Sequence, residues 1–171
     1  MNSQWWLPVN GRQLAQGDLL PDCVLPVFTG DGDNRDLDEY LELARLIVIT
    51  QSCDLDNNKV KNVGMCPIYG LDAFEEINHG FTKKGAWENV RKGRVEGLHL
   101  LASPEHPENN RESLVVDFGH IVSLPSEYLS SHAESLENRW RLNSPFLEHF
   151  SQAFARFFMR VGLPSVIAPF K

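Results

Sequence analysis

"RLIVITQSCDLDNNKVKNVGMCPIYG", residues 45–70, decides how this chain folds. "RLIVIT" packs Ile47, Val48 and Ile49 in a row behind Arg45 and Leu46, a short β-branched apolar run bounded by polar residues. Such a run predicts a buried strand. "NVGMCPIYG" (62–70) predicts its antiparallel partner, joined to it across the polar "DLDNNKVK" connection. At the mouth of this pairing stands Gln51-Ser52-Cys53-Asp54, where a thiol and a carboxylate sit side by side as the apolar run gives way to polar residues.

Elements are expected on either side of this pair. "GDLLPDCVLPVF" (17–28) mixes apolar residues with Pro21 and Pro26, which predicts an edge strand with irregular ends. "TGDGDNRD" (29–36) reads as a solvated turn; it misses a calcium loop because Asp36 stands where that loop needs glycine, leaving Glu42 as the only candidate for the bidentate ligand. "LDEYLELA" (37–44) fits a short helix or a strand equally well. Downstream, "LDAFEEIN" predicts a short helix ended by Gly80, and "TKKGAWENVRKGR" (82–94) a second helix with an exposed basic face. "EGLHLLA" is a short strand, "SPEHPENNRES" a loop, and "SLVVDFGHIVSL" (113–124) a long strand bent at Gly119. "PSEYLSSHAESLENRWRL" (125–142) is helical or irregular, and Trp5 and Trp6 cap a core edge.

"SPFLEHFSQAFARFFMRVG" (144–162) is the plainest helix, with Ser144 as N-cap, Pro145 at the first helical position, and Gly162 with Pro164 as the stop. Phe146, Leu147, Phe150, Ala153, Phe154, Phe157, Phe158 and Val161 recur at spacings of three and four and form one wide apolar stripe. His149, Gln152, Arg156 and Arg160 form a polar stripe beside it.

The 171 residues are 42% hydrophobic, which suits one domain spanning 1–171. No apolar run exceeds about five residues, far short of the roughly 20 a membrane helix needs, so no membrane association is expected. The opening residues lack the basic start and apolar run of a secretion signal. Three cysteines, Cys23, Cys53 and Cys66, make an odd set for a disulfide framework and point to a reduced, cytoplasmic setting. A net charge of −7 argues against a basic coat for nucleic acid but permits a local basic patch. Lys83, Lys84, Arg91, Lys92 and Arg94 form such a patch around Trp87, opposed only by Glu88; cations about an indole are the composition of a single-strand phosphate and stacking face, and equally of a solvated helix. Cys53 admits three readings: a thiolate nucleophile, a metal ligand should Cys23, Cys66 and a histidine converge on it, or a structural thiol with Asp54 closing an Asx-turn. No CxxC or HxxxH spacing marks a metal site, and no cofactor is expected.

Taken together, "GDLL" (17–20), "RLIVITQSCDLDN" (45–57), "GMCPIYG" (64–70) and "SLVVDFGHIVSLP" followed by "EYL" (113–129) resemble the MazF/PemK family of toxin-antitoxin ribonucleases. The resemblance covers residues 16–129. It implies an α+β fold: a small, strongly bent antiparallel SH3-like β-barrel with a helical insertion at 71–94 and the C-terminal amphipathic helix at 144–162. It further implies an endoribonuclease of bacterial stress response or phage defence, with RNA or another single-stranded nucleic acid as ligand and a protein partner or homodimer. Arg45 stands where the family contacts the scissile phosphate, with Leu46 in place of the following proline. Thr50 replaces the strand-ending serine, Tyr69 the threonine of the second strand, and His120 occupies the neighbourhood of the third strand's arginine. RNA cleavage needs a base, an acid and a cation; Arg45, Cys53, Asp54 and His120 are the residue types present at these places to supply them. The alternative is an accessory subunit that keeps the barrel without the ribonuclease site.

Overall fold

The computed structural model describes residues 4–29, 38–57 and 59–159. These residues form eight strands, β1 (Trp6–Val9), β2 (Asp18–Thr29), β3 (Asp38–Val48), β4 (Asn62–Gly70), β5 (Leu98–Leu101), β6 (Leu114–Asp117), β7 (Val122–Pro125) and β8 (Arg139–Leu142). Five α-helices join them: α1 (Ser52–Asp56), α2 (Leu71–Ile77), α3 (Ala86–Arg91), α4 (Ser126–Ser135) and α5 (Phe146–Phe158). The fold is α+β, with one antiparallel sheet in the order β1-β8-β2-β3-β4-β6-β5 and β7 also paired to β4.

The predicted β3–β4 pair is present, with Leu46 opposite Pro67, Ile47 opposite Cys66 and Val48 opposite Met65. Both faces of the sheet are covered here, which explains a continuous apolar run instead of an alternating one. Ile47, Cys66 and Ile68 point into a layer closed by Phe150 of α5. Leu46, Val48 and Met65 point the other way, toward Leu129 and Ala133 of α4. A smaller third cluster packs Phe74 of α2 on Val115, with Phe81 and Trp87 around it. Each fully buried aliphatic or aromatic side chain contributes about 1.5–3 kcal/mol relative to exposure.

Several expectations are corrected. The segment left open between helix and strand is strand over its described residues, 38–44, because β2 offers it a partner from Cys23↔Ala44 to Thr29↔Asp38. β2 lies between β8 and β3 at Asp18 and Leu19 and pairs on one side only beyond a bulge at Pro21 and Asp22, where Asp22 takes φ 52°. The stretch 113–124 is two strands rather than one bent strand: β6 and β7 both line β4, separated by a turn in which the Asp117 carboxylate accepts from the Gly119 N–H at 2.8 Å. "RWRL" is a strand, β8, inserted between β1 and β2. α2 stops at Ile77, and Gly80 lies within a 3₁₀ turn, His79–Thr82. Pro145, not Ser144, holds the cap position of α5, with no side-chain cap. The turn at 30–36, Arg160, Val161 and the stop at Gly162 and Pro164 lie outside the described residues. Trp6 is buried and Trp5 packs beside it on the same layer.

Gly17 of "GDLL" has a physical reason. Its φ is +83°, and a Cβ there would meet Leu142 at 2.9 Å and Leu147 at 3.0 Å. Its N–H donates to the Val48 carbonyl and its carbonyl accepts from the Leu142 N–H, so it ties β3 to β8.

Candidate functional site

The four residues read as a catalytic set fall at three places: Arg45 on β3, Cys53 and Asp54 side by side on α1, and His120 in the turn between β6 and β7. After β3, the Thr50 hydroxyl accepts from the Gly64 N–H at 2.8 Å and the chain turns into α1, whose Ser52 hydroxyl accepts from the Gln16 N–H at 3.0 Å. Cys53 is exposed on this short helix, its thiol 3.7 Å from Gln51 Oε1 and 3.9 Å from Asp54 Oδ1. The Asp54 carboxylate does not close a turn on its own backbone; it pairs with Lys59 at 3.5 Å. Arg45 stands opposite the β2 bulge, exposed, in a groove of about 470 Å³ that also holds Arg111, Asp72, Glu105 and Glu112. Cys53, Asp54 and His120 do not line that groove. His120 is exposed in the turn between β6 and β7, and its own backbone N–H reaches the Asp117 carbonyl. Tyr69, on β4, packs its ring against Phe74 at 5.7 Å.

The three cysteines do not converge. Cys23 lies in the α4-side layer, Cys66 in the α5-side layer, and Cys53 at the surface. Burial, and secondarily Asp22, pushes the Cys23 thiol up to about 12; burial, and secondarily Asp117, does the same for Cys66. Among the described residues no group of three or more His, Cys, Asp or Glu is gathered to hold a metal ion. Alkylation of the native protein at neutral pH therefore labels one thiol, Cys53, whereas denatured protein labels all three. Native labelling of two or more thiols would contradict the two buried positions.

The basic patch is partly neutralised. On α3, Glu88 accepts from Arg91 Nε and Nη2, both at 2.7 Å, and pairs with Lys92 Nζ at 3.0 Å. These bonds, Arg91's first, hold its carboxyl down to about 2. Trp87 is half-buried, tilted against Phe74 and Phe81, and its indole N–H donates to Glu75 at 2.7 Å. The indole thus serves the third cluster. Lys83, Lys84 and Arg94 are exposed.

Arg91 and Lys92 nevertheless reach a second groove, of about 720 Å³, between the α3–β5 segment and α5. Its floor is aromatic: the His99 ring lies nearly parallel to Phe118 (centroids 5.9 Å apart, 19°) and tilts against Phe150, with Phe157 alongside. Gly97, at φ +82°, leaves room for Phe157, whose Cε2 would lie 3.1 Å from a Cβ there. Arg91 and Lys92 form one wall; His149, Gln152 and Arg156, the polar stripe of α5, form the other. Trp5 is the remaining aromatic lining residue, stacked on Phe146 at 3.7 Å and 10°. Burial, with a smaller push from His149, lowers the His99 pKa to about 4, so its imidazole is neutral near pH 7. The cations of α3 and the stripe of α5 are legible in the sequence as separate features. His99 is not, except as the one polar residue in the apolar "LHLL". No protein-family model and no curated protein matches this chain.

Proposed function

We propose that this chain binds single-stranded RNA in the groove between the α3–β5 segment and α5, on an SH3-like barrel of the MazF/PemK kind. The observation that carries the reading is the convergence of Arg91, Lys92 and Arg156, from two separate elements, on a slot floored by aromatic rings. Cations on both walls suit a phosphate backbone, and rings below them suit unstacked bases. The net charge of −7 is spread over the whole chain and does not cancel a local field within a Debye length of about 10 Å. The barrel reading is supported by the bulge in β2 and the break between β6 and β7, which are places where a sheet bends. Its setting is a cytoplasmic toxin-antitoxin or phage-defence system, as the resemblance implies.

The test is fluorescence anisotropy with a labelled single-stranded RNA between about 50 and 200 mM salt. Each neutralised phosphate contributes about −0.7 to the slope of log K against log salt. Replacing Arg91, Lys92 and Arg156 together by Ala should flatten that slope by about 2. A parent protein that shows no RNA binding at about 50 mM salt sinks the reading. Fragments produced by the parent and not by Arg45→Ala would add cleavage to binding.

A specific observation favours the second reading, an accessory subunit that binds a protein partner or a second copy. Val24, Pro26, Leu41 and Leu43 are exposed on one face of the β2–β3 ribbon, with Val24 opposite Leu43 and Pro26 opposite Leu41. Leu41 is 70% exposed and Leu43 64%. Contiguous apolar surface of this sort marks interaction sites. Absent RNA binding, with an association state that changes on Leu43→Glu, would put this reading ahead.

A further inference from the structure

We propose, on the RNA-binding reading above, that the floor of the α5 groove holds one unpaired nucleobase and that the His99 ring hydrogen-bonds the edge of that base. His99 is a polar ring in a slot whose lining includes the apolar Phe118, Ala153 and Phe157. Neither ring nitrogen has a hydrogen-bond partner among the described residues, although the ring itself is fixed by its contacts with Phe118 and Phe150. No buried side-chain nitrogen or oxygen among the described residues lacks a partner, so the unpartnered ring nitrogens of His99 open onto the groove, where a ligand can reach them.

The chemistry of the ligand follows from the chemistry of the ring. Neutral imidazole presents one N–H donor and one bare nitrogen acceptor, and every nucleobase edge carries donors, acceptors or both. A protonated ring would be a further cation and would favour phosphate over base. Burial opposes that form here, as does His149 on the facing helix. The formal cations stand higher, on the walls: Arg91 and Lys92 on one side and Arg156 on the other, with Glu96 the lining carboxylate. Phosphates at the rim and a base on the floor therefore make use of both the cations and the rings of the groove. Stacking on the rings tolerates any base, so His99 is the group able to discriminate among them.

A base joined to phosphate can come from an RNA strand or from a free nucleotide, and the experiment separates the two. Binding is measured for an RNA octamer, for an abasic ribose-phosphate strand of the same length, and for nucleoside monophosphates. The parent should prefer the octamer over the abasic strand by about tenfold or more. His99→Phe, which keeps a ring over Phe118, should retain stacking and lose preference among homopolymers, while the salt slope stays unchanged. His99→Gln, which restores a donor and an acceptor, should recover part of that preference. Equal binding of the octamer and the abasic strand, unaltered in His99→Phe, overturns the base pocket and leaves RNA binding standing. Monophosphates that bind in a His99-dependent way, with no binding of either strand, keep the pocket and overturn the RNA reading. No binding of any of the three overturns both.

Discussion

Replacing Asp18 by alanine should remove about 3–5 kcal/mol of stability, the usual cost of stripping one partner from a buried charge pair. The Asp18 side chain is fully buried, as is that of Arg139, whose Nε donates to Asp18 Oδ2 at 3.1 Å. Arg141 donates to the same carboxylate from Nε and, at 2.9 Å, from Nη2, and these bonds raise its pKa. The Ala15 N–H adds a fourth contact at 3.1 Å. Arg139 in turn donates to the backbone carbonyls of Gly11 and Gln13, so one carboxylate anchors β8 to β2 and orders the loop between β1 and β2. Without it, the Arg139 guanidinium stays buried with backbone carbonyls alone, and an uncompensated buried cation is the expensive outcome. Asp18→Asn keeps the shape and one acceptor and should cost less. Urea unfolding reads the difference as a lower midpoint at unchanged slope. A loss below about 1 kcal/mol would remove the triad from any central part in the fold.

Phe150→Ala should cost a similar amount, about 3–5 kcal/mol. Phe150 is the ring of α5 with no exposed surface, 5.6 Å from Phe118 and packed in the same layer as Ile47 and Cys66. Truncation opens a cavity that the neighbouring rings cannot fill, because Phe118 already contacts Phe154 and Phe157 on its other sides. For a domain of this size the loss corresponds to a fall in Tm of roughly 6–20 °C. Phe158, exposed at the end of the same helix, is the matched control, and Phe158→Ala should leave Tm almost unchanged. Equal effects of the two substitutions would mean that α5 does not pack through the predicted stripe.

What was legible in the sequence was whatever is encoded locally. A buried β-branched run announces β3, and its polar connection announces β4. The spacing of three and four from Phe146 to Phe157 announces α5, because one helix face alone must meet the sheet. β8 was hidden for the opposite reason. "RWRL" is four residues with two arginines, and it is a strand only because Asp18, 121 residues from Arg139, neutralises a guanidinium that would otherwise stay in water. The segment 38–44 has no decisive period of its own and becomes strand through its pairing with β2. The break at Gly119 depends on a side-chain bond from Asp117 that the apolar pattern does not carry. The candidate site divides in the same way. Arg91, Lys92, His149, Gln152 and Arg156 were visible on their own helices. Their meeting over His99 is a consequence of how α5 crosses β5 and β6, which no single stretch specifies.

The projecting β2–β3 ribbon has two edges, and they are not equivalent as templates for another strand. On the β2 side, the Val24 N–H points outward and donates to the Tyr128 hydroxyl at 2.7 Å. The next outward position, two residues on, is Pro26, which has no N–H to offer. That edge is blunted against strand addition. Since Val24 faces Leu43 across the ribbon, the outward backbone groups of β3 belong to Leu41, Leu43 and Arg45, where no strand among the described residues pairs and no proline intervenes. Of the ribbon's two edges, then, it is the β3 edge that offers its backbone to another strand, whether for productive association or as a first step of aggregation.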